Sequence, residues 1–166
     1  FSPRISLVYT PTKSDTLKLI AARSQRMNFA VDMRDEYLGN GIKDSDPETI
    51  DNLELRWEHD YSDKLNLAVS GYYEIIDLIG FIESSGSNNR DQGVVAEEKQ
   101  WGLEFELSWK TDNTKLNFSH VYTKLDSFTL RNGVTSSFFT SKPNGYGDNL
   151  TNWSANLSKL YISYTL

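Results

Sequence analysis

Apolar and polar residues alternate along several stretches of the chain. Leu53, Leu55 and Trp57 are separated by Glu54 and Arg56. Between residues 99 and 110, every second position carries a large apolar side chain, namely Trp101, Leu103, Phe105, Leu107 and Trp109. Because successive side chains of a β-strand point to opposite faces, this period of two predicts strands with one apolar and one polar face.

The same pattern predicts seven strands and no long helix. The end of the fourth strand, at residues 74–82, is less regular and also fits a buried strand end or a helical turn. The predicted strands span residues 4–10, 16–29, 50–60, 65–82, 99–110, 115–130 and 157–166.

The connections between these strands alternate in length. Short turns follow the first, third and fifth strands, and long polar stretches, at 30–47, 83–98 and 131–153, follow the others. In an antiparallel meander, every second connection lies at the same end of the sheet. The chain is therefore predicted to have all short turns at one end and all long loops at the other, as outer-membrane barrels do. Greek-key connections of a sandwich would break this order.

Ring and charge positions fit the same layout. Rings near the short turns and rings nearer the long loops predict two aromatic bands at the two membrane interfaces, although any single ring also fits an ordinary core. Charged residues of the opposite face are predicted to line a wet lumen, because unpaired charges are costly in a closed core. The rings are Tyr9, Tyr61 and Trp109 in one band and Tyr72, Tyr73 and Trp101 in the other, and the charges are Glu54, Arg56, Glu58, Glu104 and Glu106.

Composition excludes several classes of function. The formal net charge of -6 argues against a nucleic-acid partner, which needs clustered Lys and Arg. The absence of cysteine excludes disulfides and thiolate metal sites. His59 and His120 lie on different predicted strands without a neighbouring carboxylate–histidine pattern, and Glu104 and Glu106 are better explained as a solvated strand face than as a hydrolase pair. The sequence predicts no enzyme, no cofactor and no metal site.

The long-loop end is the predicted place for a ligand. Arginines and rings together can hold an anionic chelate or a sugar. The alternative is that these are loop residues without a ligand role. The candidates are Arg23, Arg26, Arg34, Tyr37, Phe138, Phe139 and Tyr146.

Several short motifs resemble those of TonB-dependent outer-membrane receptors, in the C-terminal half of the barrel. Ser2-Pro3-Arg4 opens a strand, and Pro47-Glu48-Thr49 leads into a strand that carries Glu54. Asp77-Leu78-Ile79 ends the next segment, and Gly102-Leu103-Glu104 follows. The resemblance covers residues 2–125. The sequence departs from the family pattern after Arg23, where Ser24–Phe29 stands in place of an Arg-Ala-Pro-like run.

The resemblance implies a fold. It is all-β, an antiparallel up-and-down meander of about seven strands that forms a slice of a large outer-membrane β-barrel. Because the family barrel has 22 strands and an N-terminal plug, residues 1–166 are expected to be a partial barrel domain from the middle or late part of a larger receptor. In that fold Leu53, Leu55, Trp57, Trp101, Leu103, Phe105, Leu107 and Trp109 would face the membrane.

The resemblance also implies a function. The parent receptor would sit in the bacterial outer membrane, in contact with its lipid, and take up a scarce nutrient such as an iron chelate. Energy would come from the TonB complex through the plug, and the ligand itself is not identified. The alternative is a soluble β-sandwich or small β-barrel that binds carbohydrate, with Trp101 and Trp109 as a sugar platform.

The predicted sheet has consequences for the chain in isolation. It would have two unpaired edges and a bare apolar face, which recruit other strands and other apolar surfaces. We expect such a chain to curl over its apolar face, to associate with a second copy or to require detergent.

Overall fold

A computed structural model describes residues 1–26, 47–83, 90–131 and 154–165, and for residues 79–83 and 90–95 it describes the strand pairing alone. Seven strands form one sheet in sequence order, and every neighbouring pair is antiparallel. The predicted meander without parallel pairs is therefore confirmed. The strands are β1 (Arg4–Tyr9), β2 (Asp15–Arg26), β3 (Glu48–Ser62), β4 (Leu65–Glu83), β5 (Arg90–Lys110), β6 (Thr114–Leu130) and β7 (Asn156–Tyr164).

The two ends of the sheet differ as the connection lengths predict. Short turns at 10–14, 63–64 and 111–113 share one end, here called the turn end, and the opposite end is called the loop end. In the turn between β1 and β2, the Thr12 hydroxyl accepts hydrogen bonds from the backbone N–H groups of Ser14 and Asp15. In the turn between β5 and β6, Thr111 Oγ1 accepts from the N–H of Thr114. These side chains satisfy turn backbone groups that strand pairing leaves open.

The middle connection at the loop end is shorter than predicted. Residues 83–98 were expected to be a loop, but β5 begins at Arg90, and Glu83 pairs with Arg90. The β4–β5 hairpin has a register shift between Leu78 and Ile79. Pairing continues beyond this shift as far as Glu83. The irregular end of β4 is therefore a strand and not a helical turn. The predicted tail of β2, at 27–29, lies outside the described residues.

The register sorts side chains onto two faces as the alternation predicts. Leu55 pairs with Gly71, which pairs with Leu103, so the apolar residues of β3 and β5 share one face. Arg56 pairs with Ser70, which pairs with Glu104, so the charged residues share the other. Pairing fixes both faces together, because a slip of one residue would exchange them.

In this sheet the polar face is more buried than the apolar face, which is the reverse of a soluble core. The most buried described side chains lie on the polar face, where Ala68 and Ser70 are each 1% exposed. On the apolar face Leu55 is 58% exposed. The sheet therefore does not curl over its apolar face, which was one of the three expected ways of covering it. Nor is a sandwich present in the described ranges, since all seven strands belong to one sheet.

The sheet is open at both sides. β1 and β7 are its outer strands, and among the described residues each pairs with a single neighbour. Such edges offer unpaired N–H and C=O groups to further strands. In the described ranges no helix is long and apolar enough to cross a membrane.

Candidate functional site

One face of the sheet carries a broad apolar surface, here called the apolar belt. Its central side chains are exposed, with Leu103 at 53% and Leu55 at 58%. An exposed apolar surface of this extent marks contact with lipid or with another apolar surface. The described residues of the belt are Ile5, Leu7, Tyr9, Leu17, Leu19, Leu53, Leu55, Trp57, Leu65, Leu67, Val69, Tyr73, Trp101, Leu103, Phe105, Leu107, Trp109, Leu116, Phe118, Tyr122, Leu160 and Ile162.

The height of the belt is close to that of a membrane. On β5 it runs from Trp101 to Trp109, which is roughly 26 Å along a strand that rises about 3.3 Å per residue. A tilt of about 40° shortens this to roughly 20 Å across the membrane, against the ~25 Å apolar band of outer-membrane barrels. The belt is interrupted near β7 by His120, whose Nδ1 lies 2.8 Å from Ser158 Oγ. These two polar groups satisfy each other.

At the turn end the belt is bordered by rings and a carboxylate. Asp15 accepts a hydrogen bond from Trp57 Nε1 at 3.1 Å, and its Oδ1 lies 2.7 Å from His59 Nδ1. Thr12 donates to the other oxygen of Asp15 at 2.6 Å. The His59 ring packs edge-on against Tyr61. Rings with one polar and one apolar side are typical of a membrane interface.

At the loop end the belt gives way to ion pairs. Arg23 donates two hydrogen bonds to Asp51, and this pairing lowers the pKa of Asp51. Arg131 contacts Glu97, and Arg131 Nη1 lies 3.7 Å from Asp77 Oδ1, which is too long for a hydrogen bond. Charges therefore begin directly beyond the Tyr73 and Trp101 rings on this face.

One ring is not where it was predicted. Tyr72 was placed in the loop-end aromatic band, but it lies on the polar face, because it neighbours Tyr73 on the same strand. Its hydroxyl lies 2.6 Å from Thr123 Oγ1, two strands away. The ring crosses Gly102 of β5, where an added Cβ would lie 2.3 Å from the ring. Glycine is therefore required at this position by the ring that lies over it.

Most of the charges on the polar face are paired. Glu58 accepts hydrogen bonds from Lys18 at 2.8 Å and from Arg56 at 2.7 Å. Arg56 also donates to Glu106 at 2.5 Å, across the small side chain of Ala68 on β4. This chain of alternating charges links β2, β3 and β5. The prediction of a wet face thus missed its ion pairs, which require knowledge of the register.

A second polar group lies nearer the loop end of this face. Glu74 accepts hydrogen bonds from Asn52 Nδ2 at 3.0 Å and from Gln100 Nε2 at 2.6 Å. Gln100 is 5% exposed and Glu98 is 6% exposed. Burial and the nearby carboxylate of Glu74 raise the pKa of Glu98, which lies beyond the belt, to about 7. Sequence reasoning missed this burial, because Glu98 was predicted to lie in the long polar connection at 83–98.

The two predicted ligand residues that the structure describes do not lie together. Arg23 lies on the same side as the belt, whereas Arg26 lies on the polar side and pairs with Glu48. The two arginines therefore do not form one site. The remaining candidates, Arg34, Tyr37, Phe138, Phe139 and Tyr146, lie outside the described residues. Their ligand role stays a prediction.

Among residues 1–26, 47–83, 90–131 and 154–165, no group of three or more His, Cys, Asp or Glu side chains is arranged to hold a metal ion. His59 and His120 are engaged with Asp15 and Ser158.

Comparisons with solved structures support the fold. The FrpB iron transporter from Neisseria meningitidis is similar in its F3-3 variant, with 14% identity and a TM-score of 0.57 over 75% of this chain and 19% of that one. The apoprotein form of its F5-1 variant gives 15% identity and a TM-score of 0.58 over the same shares. The copper transporter OprC gives 22% identity and a TM-score of 0.51, covering 74% of this chain and 20% of that one.

These matches are partial in length. The chain spans about one fifth of each of these transporters. No curated protein matches it. The family model described as "TonB dependent receptor-like, beta-barrel" matches residues 1–166. The chain therefore belongs to the TonB-dependent receptor-like β-barrel family.

Proposed function

We propose that these seven strands form part of the wall of an outer-membrane receptor that takes up a scarce nutrient, such as an iron chelate. In this proposal the apolar belt contacts outer-membrane lipid, the polar face lines the lumen, and further strands pair with β1 and β7. Uptake draws energy from the TonB complex through a plug domain. The observation that carries the proposal is the exposed belt, bordered by rings at both ends.

The two faces support a membrane wall over a soluble module. A soluble protein loses stability when it leaves a surface like that of Leu55, Leu103 and Leu160 in water, whereas lipid covers it at no such cost. The paired charges of Lys18, Arg56 and Glu106 suit a water-filled interior, where they remain hydrated. A carbohydrate platform of Trp101 and Trp109 would lie within the lipid-covered surface.

The proposed class of nutrient draws on the family resemblance and on the names of the structural neighbours. Their names give iron for FrpB and copper for OprC. At 14% to 22% identity they support the fold, so the choice of a metal-containing nutrient is the part of the proposal that most needs an experiment.

Uptake by cells tests this function. We expect that deleting the full-length gene lowers accumulation of a radioactive iron chelate in iron-limited cells, and that the gene restores it. Parallel copper-limited cultures separate the two metals. Recovery of the full-length protein in the soluble fraction, or equal uptake of both metals with and without the gene, would contradict the proposal.

Substituting the two described arginines tests the predicted ligand end. Arg23→Ala should leave stability nearly unchanged, because exposed ion pairs contribute little. Arg26 lies on the polar face that lines the lumen in this proposal, so if it holds an anionic ligand, Arg26→Ala should lower uptake at limiting concentration while receptor abundance stays constant. Arg23→Ala, on the opposite face, is the matched variant. Unchanged uptake in both variants would remove the two residues from the candidate site.

A further inference from the structure

The polar face carries a buried carboxyl with no partner. Glu98 is 6% exposed, and neither a hydrogen bond nor an ion pair is found for its side chain among the described residues. Its neighbours across the sheet are Ile76 on β4 and Phe128 on β6, which are apolar. A buried carboxylate requires a compensating positive charge or a proton.

A second buried side chain next to it has one unpaired oxygen. Gln100, two residues along the same face, has a side-chain oxygen, Oε1, that is buried and accepts no hydrogen bond. Its orientation is fixed, because the amide nitrogen must face the Glu74 carboxylate to donate at 2.6 Å. Oε1 shares a carbon with that nitrogen, so it lies beside Glu74, on the face that also carries Glu98.

Carboxylate and amide oxygens are the donors that a hard cation prefers. Each oxygen of Glu74 accepts one hydrogen bond and retains a lone pair, since a carboxylate offers about four acceptor sites. Glu98 contributes a second carboxylate and Gln100 an amide oxygen. Calcium takes carboxylate, amide and water oxygens in flexible geometry, whereas magnesium requires near-ideal octahedral geometry.

We propose that Glu74, Glu98 and Gln100 Oε1 hold a divalent cation, Ca²⁺, on the polar face beyond the apolar belt. The cation neutralises two neighbouring carboxylates and satisfies the orphaned amide oxygen. Water molecules complete its coordination. The proposal does not depend on which nutrient the receptor takes up.

The experiment uses the full-length receptor, purified in detergent and stripped with a chelator. Calcium binding is measured by titration calorimetry at pH 8, and the shift in Tm is recorded with Ca²⁺ and with Mg²⁺. Glu98→Gln should weaken binding about tenfold or more. It should also reduce the Tm shift produced by Ca²⁺. Asp112→Asn, in an exposed turn, is the control for Ca²⁺ bound by residual anionic lipid and surface carboxylates.

A gain-of-function variant keeps the test independent of folding losses. Gln100→Glu adds a third carboxylate, so it should lower stability without Ca²⁺ and enlarge the Tm shift on adding it. Equal calcium binding and equal Tm shifts in the wild type and Glu98→Gln would overturn the proposal and leave water as the occupant of the cluster. That result would leave the uptake function untouched, because uptake is tested by gene deletion.

Discussion

Leu103→Arg should destabilise the membrane-inserted receptor by about 2–4 kcal/mol, the cost of a cation near the middle of the lipid face of a barrel. Leu103 is the belt residue next to Phe105, which lies at the centre of the belt on β5. In water the same change would be nearly neutral, because surface substitutions usually alter stability by at most about 0.5 kcal/mol. Because Leu103 is 53% exposed, the loss of stability on this substitution distinguishes a face covered by lipid from one covered by water.

The measurement is denaturant unfolding of the full-length receptor from lipid bilayers. Leu103→Ala controls for lost apolar contact and should cost less than the arginine. Ser119→Arg places the same charge on the polar face, because Ser119 pairs with Glu106 and points away from the belt residue Phe118. Its loss of stability should be far smaller. Equal losses for Leu103→Arg and Ser119→Arg would show that the belt does not face lipid.

Gly102→Ala should cost about 1–3 kcal/mol, the usual range for overpacking. The new methyl group would lie 2.3 Å from the Tyr72 ring and 2.6 Å from the carbonyl oxygen of Tyr122. The ring can swing away, at the loss of its hydrogen bond to Thr123, but the carbonyl belongs to the paired backbone of β6. Thermal unfolding of the full-length receptor measures the cost.

Gly71→Ala is the matched control on the neighbouring strand. Its added Cβ would meet Leu103 Cδ2 at 3.4 Å, an ordinary contact, so we expect little loss or a slight gain from the lower backbone entropy of alanine. Removing the ring with Tyr72→Ala in the Gly102→Ala background should recover part of the loss and leave the part due to the carbonyl. Equal effects at Gly71 and Gly102 would refute the steric explanation.

Much of the fold follows from local pattern. The period of two around Trp101–Trp109 sets both the strand and its faces, since no other regular structure places every second side chain on one side. The start of β5 could not be predicted in this way. Residues 90–93 read Arg-Asp-Gln-Gly, without apolar alternation, and their place in the sheet is set by backbone pairing with β4.

The interactions across strands were beyond the sequence for a related reason. Tyr72 and Thr123 are 51 positions apart, and their contact depends on the register of two successive hairpins and on a glycine between them. Likewise, Glu98 falls at the end of the stretch predicted as a polar loop, and its place on the face that carries Glu104 depends on the pairing of β5 with β4. Burial of Glu98 depends on what packs around it, which the spacing of residues along one strand does not specify.

The meander has a consequence for the order in which the sheet forms. Each strand pairs with its neighbour in sequence, so contacts are local except where a long connection must close. The β4–β5 hairpin combines the longest pairing, from Leu65–Trp109 to Glu83–Arg90, with a connection of six residues. Its closure entropy is lower than that of the connection between β2 and β3. We therefore expect β4 and β5 to gain protection from amide hydrogen exchange first during refolding, with β2 and β3 adding to this hairpin afterwards.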